Sequence, residues 1–214
     1  MKRIIWLIAF ASSGLLFAQE PKDLFEKSDQ EIVWLGVDFS HVKLIGTFAQ
    51  FFGAGEKGAE QIRDIYFPAW NKLILDERDK YDIKGMFRKE QIKYETDMIT
   101  AINYKCDIEN LETQNTPNYT KEEIQGFIEN YNLPTNSGIG LLFIAESLSK
   151  SDEEACFHFV AIRNSDKTIL IHERLKGEPR GFGLRNYWAG SIYSIIQDIK
   201  GNRYRAWKSV YAKK

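Results

Sequence analysis

"GIGLLFIAESLS" (138–149) and the hairpin after it, "ACFHFVAIR" (155–163), "NSDK" (164–167) and "TILIHERL" (168–175), decide how this chain folds. The first stretch is the most apolar of the three, so it reads as a central strand. The other two mix apolar and polar residues and are joined by a tight-turn composition. Together they predict a β-meander with the 138–149 strand at the centre of a sheet.

Working outward, "EIVWLGVDFS" (31–40) is a second short, apolar, β-branched and aromatic run, and predicts another central strand. A stripe of Ile62, Ile65, Tyr66, Ala69, Trp70, Leu73 and Ile74 has helical spacing. Pro68 interrupts it, predicting a kink or a second helix that starts there. "QIKYETD" (91–97) alternates as a half-exposed strand. Thr120 with Glu123 three residues on forms a capping box, ahead of Ile124, Phe127, Ile128 and Tyr131 on one helical face. A last helix is predicted from about Asn186 to Lys200, with Gly201 as its cap. The tail "GNRYRAWKSVYAKK" (201–214) reads as an edge strand protected by lysines. The order predicts an α/β (α+β) fold: a single-domain mixed sheet of about five strands with helices packed on it, the meander being followed by a C-terminal helix.

Residues 1–18 read as a signal peptide, with Lys2 and Arg3 before an apolar stretch and Ala18 before the cut. Residues 19–30 would be an N-terminal arm, loose or a short helix, and 31–214 one globular domain. The mature chain would carry 27 basic against 30 acidic residues, a net charge of −3, which argues against general nucleic-acid binding. No second apolar run is long enough to span a bilayer. The expected location is periplasmic or extracellular, and the expected partner an envelope protein or component. Cys106 and Cys156 are either a disulfide, as an oxidising compartment permits, or two buried thiols. Two cysteines and three scattered histidines make zinc an unfavourable expectation, and no cofactor is implied.

The stretch with the most chemical character is "GEPRGFGLRNYWAGS" (177–191), glycines and arginines ahead of a helix. Arg180, Gly181, Gly183, Arg185 and Asn186 could receive a small anion at the helix N-terminus. The alternative is that the glycines supply backbone angles and Phe182, Tyr187 and Trp188 pack. "DFSH" (38–41) places Asp38, Ser40 and His41 too close along one strand to converge as a triad. A hairpin with opposed pairs summing to 331 puts His158 across from Glu173 and His172 across from Phe159, so the imidazoles face opposite sides; a one-residue shift would join them. No catalytic or metal-binding residue is assigned. The leading expectation is a non-enzymatic envelope protein. A periplasmic hydrolase using His41 or His158 with nearby carboxylates is the alternative, and anion binding at the turn a lesser one.

The runs "NSGIGLLFIAES" (136–147), "NSDKTILIHERL" (164–175) and "GFGLRNYWAGSIYSIIQDI" (181–199) resemble a group of secreted bacterial envelope proteins that share a glycine-arginine-asparagine-tyrosine-tryptophan turn before the last helix, a likeness that covers roughly residues 137–200 and, loosely, 31–76. The layout is also similar to the αβ domain of the curli-secretion lipoprotein and the N-terminal domain of TolB. Here there is no lipobox cysteine. The group carries no known catalytic residues, so the resemblance implies a fold and an envelope location but transfers no site.

Overall fold

The computed structural model describes residues 19–52 and 58–213; the expected signal peptide lies outside them. The fold is the mixed α/β arrangement expected from the sequence. Among the described residues the strands are β1 (Ile32–Asp38), β2 (Lys43–Ile45), β3 (Lys93–Tyr94), β4 (Glu112–Thr113), β5 (Ile139–Ser149), β6 (Glu154–Arg163) and β7 (Ile169–Gly177). The helices are α1 (Asp23–Glu26), α2 (Phe48–Phe52), α3 (Ala59–Gln61), α4 (Phe67–Asp76), α5 (Ile83–Met86), α6 (Asp97–Asn103), α7 (Lys121–Glu129), α8 (Gly183–Asp198) and α9 (Tyr204–Tyr211). Wide π-turns at Ile62–Tyr66 and Ile199–Arg203 join α3 to α4 and α8 to α9.

β5 organises the sheet. It is buried along its whole length and pairs antiparallel with β6, which pairs antiparallel with β7, giving the expected meander. Along its other edge β5 meets β1 at Ile139–Ile144 and then β2 at Ser147–Ser149, both parallel. β3 extends the sheet beyond β1, and β4 beyond β2. One face carries a large core of Trp34, Phe143, Phe157 and Phe159 against α4, α8 and α9. The other carries a smaller core of Val33, Leu35, Leu142, Ile144, Val160 and Ile162 beneath Ile124 and Ile128 of α7.

Two expectations need correction. The C-terminal tail is helix α9, not an edge strand: Tyr204 and Trp207 are buried against Phe25, Phe87 and Phe159. Gly201 ends no helix but sits inside the π-turn through which α8 continues into α9. At Pro68 the helical run is not broken: a π-turn at Ile62–Tyr66 leads into α4, and Pro68 stands in the first turn of α4, near the start of a second helix as expected. The N-terminal arm is fastened to the domain. Leu24 and Phe25 are buried, and the buried Lys89 ammonium donates to the carbonyls of Asp23 and Lys27. Burial lowers the Lys89 pKa to about 8.

Candidate functional site

Three β-bulges place the polar side chains of the smaller face. In β1 the register shifts between Trp34 and Gly36, in β5 between Ala145 and Ser147, and in β7 opposite Ala161 and Ile162. A bulge inserts one residue and re-aims the side chains beyond it. At β5 the inserted residue is Glu146. Ser147 then pairs with Cys156, so Glu146 and Ser147 look out on the same side. Across from this bulge the chain has left β1 and not yet entered β2, and the segment Phe39–Val42 passes through a turn.

At β7 the inserted residue is Leu170. Beside the turn the pairing is the one the sequence predicts, with Ile162 opposite Ile169. Beyond Leu170 the opposed pairs slip by one, so His158 faces Arg174 and Val160 faces His172. The expectation that the two imidazoles lie on opposite faces is therefore overturned. Two imidazoles, one carboxylate and one guanidinium share the face beneath α7. Glu173 is sent to the other side, where it accepts a 2.7 Å hydrogen bond from the Tyr211 hydroxyl.

Glu146 is the centre of this group and is completely buried. Its carboxylate accepts from Arg174 Nε at 3.0 and 3.1 Å and from an Arg174 terminal nitrogen. It accepts from His158 Nε2 at 2.9 Å and from the Tyr119 backbone N–H at 3.1 Å. Burial by itself would raise the Glu146 pKa. The hydrogen bonds from His158 and Arg174, with the Arg174 charge, outweigh it and hold the pKa at about 2. The other ring nitrogen of His158, Nδ1, lies 2.7 Å from Nε2 of His172. His172 is half-buried. Burial and the neighbouring His158 lower its pKa to about 4, so it is neutral at pH 7. An Arg174 terminal nitrogen also donates to the Cys156 sulfur at 3.4 Å. Burial raises the Cys156 pKa despite that nearby charge, so the sulfur rests as a thiol.

The "DFSH" residues stand at the edge of the same face; Asp38 and His41 are engaged locally, whereas the buried Ser40 hydroxyl has no hydrogen-bond partner among the described residues. Asp38 accepts from the buried Tyr131 hydroxyl and from the Ser40 N–H at 2.7 Å. His41 stacks on Phe127 of α7, with ring centroids 3.6 Å apart. Tyr119 links the two groups: its backbone N–H reaches Glu146, and its hydroxyl donates to the His41 carbonyl at 2.7 Å. Among the described residues, no three metal-ligating side chains come together as a metal site.

The sequence-predicted turn is built differently. The Arg180 guanidinium pairs with Glu178, and Arg185 Nε donates to Asn186 Oδ1 at 3.2 Å. Two hydrogen bonds fasten the turn, one within it from the Arg180 N–H to the Tyr187 carbonyl, and one from outside, where the Trp70 side chain of α4 donates its Nε1–H to the Arg185 carbonyl. Gly181 has φ +122° and Gly183 φ +74°, angles that disfavour a side chain. Between this turn and the β5–β6 hairpin lies a depression lined by Asp152, Glu153, Glu154, Lys176, Gly177, Glu178, Pro179 and Arg180. Four carboxylates and two cations give it the wrong sign for an anion. Trp188 is buried, whereas Phe182 is 97% exposed, the most exposed large apolar side chain among the described residues.

Cys106 and Cys156 are separate buried thiols. Cys106 follows α6 and packs in the larger core, and burial raises its pKa to about 11; Cys156 lies on the opposite face. No helix among the described residues is long and apolar enough to cross a membrane. Sequence reasoning missed Glu146 and Arg174. The available signal was a lone acid inside the otherwise apolar run 139–148, which burial obliges to find a partner. Comparison with known proteins gives no match: no family model fits the chain, and no curated protein or solved structure is similar to it.

Proposed function

We propose that this chain is an exported, non-enzymatic envelope protein that binds a protein partner through the turn before α8. The observation that carries the reading is the full exposure of Phe182 on a turn whose backbone is locked and whose arginines are already paired. A large apolar side chain on a fastened backbone spares a partner the cost of ordering the loop. The hydrolase alternative loses support from the polar group beneath α7. The Glu146 carboxylate is saturated by three donor groups, and His158 is buried with both nitrogens engaged, which leaves neither free to reach a substrate. Export rests on the reading of residues 1–18 and on the resemblance of roughly residues 137–200 to secreted envelope proteins.

The test is a photo-crosslinking amino acid at position 182 in the full-length chain expressed in its native envelope, with position 72 on the exposed side of α4 as control. A discrete adduct from position 182 and none from position 72 supports the reading. Adducts from neither, or equally from both, reject it. N-terminal sequencing of the envelope fraction should begin at Gln19; protein retaining Met1 in the cytoplasm would contradict export.

A further inference from the structure

Two of the three histidines, His41 and His158, stand against one segment, Tyr119 to Tyr131, which contains α7, and the third, His172, feels the charges of its Lys121 and Glu122. The two ends of the segment are fixed in different ways. At its C-terminal end Tyr131 is buried and donates to Asp38, and Lys167 Nζ donates to the Glu129 carbonyl at 2.9 Å. At its N-terminal end Tyr119 carries the fastening: its N–H binds the carboxylate that orients His158, its hydroxyl donates to the His41 carbonyl at 2.7 Å, and its ring lies 6.3 Å from the His158 ring. Further along, Phe127 stacks on His41.

We propose that the His158–His172 contact is an acid-sensitive latch that holds the N-terminal half of the 119–131 segment on the sheet. Two ring nitrogens 2.7 Å apart have room for one proton between them. His158 Nε2 faces a carboxylate and so keeps its hydrogen. With both rings neutral, His172 donates to Nδ1 of His158. A hydrogen on both facing nitrogens would put two N–H groups head to head, and the rings must then separate. His158 is enclosed between β5 and β7, so His172 is the ring that moves.

The charges facing His172 do not offer a replacement partner. β6 presents His158; β5 presents Glu146, already saturated; Arg174 stands two residues along its own strand; and α7 presents Lys121 and Glu122, whose effects oppose each other. His41 adds in the same direction, because burial lowers its pKa too, with Asp38 opposing and Lys43 assisting. Linkage sets the sign. An imidazole whose folded pKa lies below its ordinary value supports the closed form fully above about pH 6.5, and loses that support as pH falls toward the folded pKa. Glu146 titrates only below its ordinary carboxylate range, so the window from pH 7 to pH 5 isolates the imidazoles.

Hydrogen–deuterium exchange of the full chain, corrected for intrinsic rates, tests the latch. Peptides over 119–131 should exchange about tenfold faster relative to 139–149 at pH 5 than at pH 7. His172→Gln, which cannot take the proton, should keep less than a twofold pH response. An unchanged ratio in the wild type, or a full response in the variant, overturns the proposal. Ring-proton NMR of the wild type decides independently of how the variant folds. A His172 signal that titrates near 6.5 contradicts the latch, and one that titrates below 5 supports it.

Discussion

Two regions of this molecule use the same kinds of residue to opposite ends. Beneath α7, Glu146 and Arg174 meet where water is excluded from the carboxylate, with two imidazoles completing the group. Before α8, Glu178 and Arg180 meet in open solvent, and Arg185 reaches only its neighbour Asn186. Solvent separates the two outcomes. An exposed pair gains little over its hydrated ions, whereas a buried carboxylate that loses its cation keeps its desolvation cost and forfeits the compensation. In sequence the second region shows more chemistry, because glycine and arginine cluster there. In the fold the first is energetically the more sensitive.

The contrast can be broken by mutation, and the largest effect should come from Arg174. Replacing it with Met leaves Glu146 buried with only His158 and Tyr119, and should destabilise the fold by about 3 kcal/mol in denaturant titrations. A loss within 0.5 kcal/mol would place Glu146 in contact with water. The pH dependence comes next. The Glu146 pKa is about 2 in the fold, below its ordinary 4.5, so its contribution is full above pH 4.5 and is lost as pH falls toward 2. That difference corresponds to about 3 kcal/mol. Arg174→Met should flatten this acid limb, and an unchanged limb would assign it elsewhere. Gly190→Ala sharpens the comparison from the other side. A Cβ there would stand 2.3 Å from the Arg180 carbonyl oxygen, so the turn must shift, at a cost of about 2 kcal/mol. Arg180→Ala with Arg185→Ala should be the mildest change, within about 0.5 kcal/mol, because both guanidinium groups are exposed. The same double variant should leave the melting temperature in phosphate equal to that of the wild type. A phosphate-induced rise in the wild type that the variant lacks would revive the anion reading.

The thiols give a separate check. Both are buried and neither is paired with the other, so intact mass should be unchanged by reductant and two alkylations should appear on unfolding. A gain of two mass units on reduction would establish a bond between Cys106 and Cys156.

Periodicity made the elements legible in the sequence, and register hid the site. The meander, the capping box at Thr120 and the helix after the glycine turn all rest on local patterns, and each is present. The Thr120 side chain accepts from the Glu123 N–H, and Glu123 reaches back to the Thr120 N–H. The site rests on bulges at Glu146 and Leu170, neither of which is flanked by a glycine, so no composition marks them, whereas the β1 bulge is marked by Gly36 at φ +113°. A single inserted residue flips every later side chain to the other face, and here it turns two separated imidazoles into a contact. The tail was legible in part. Tyr204, Trp207 and Tyr211 repeat at three and four residues, a helical interval rather than a strand's alternation.

The group beneath α7 is either a closed structural network or a carboxylate kept ready for chemistry. A double-mutant cycle on unfolding free energy, with Glu146→Leu, Arg174→Met and both together, separates the two directly. A closed network predicts that each single change destabilises and that the double variant recovers more than about 2 kcal/mol relative to their sum. Stabilisation by Glu146→Leu alone, the behaviour of a carboxylate held unsatisfied for chemistry, would contradict it.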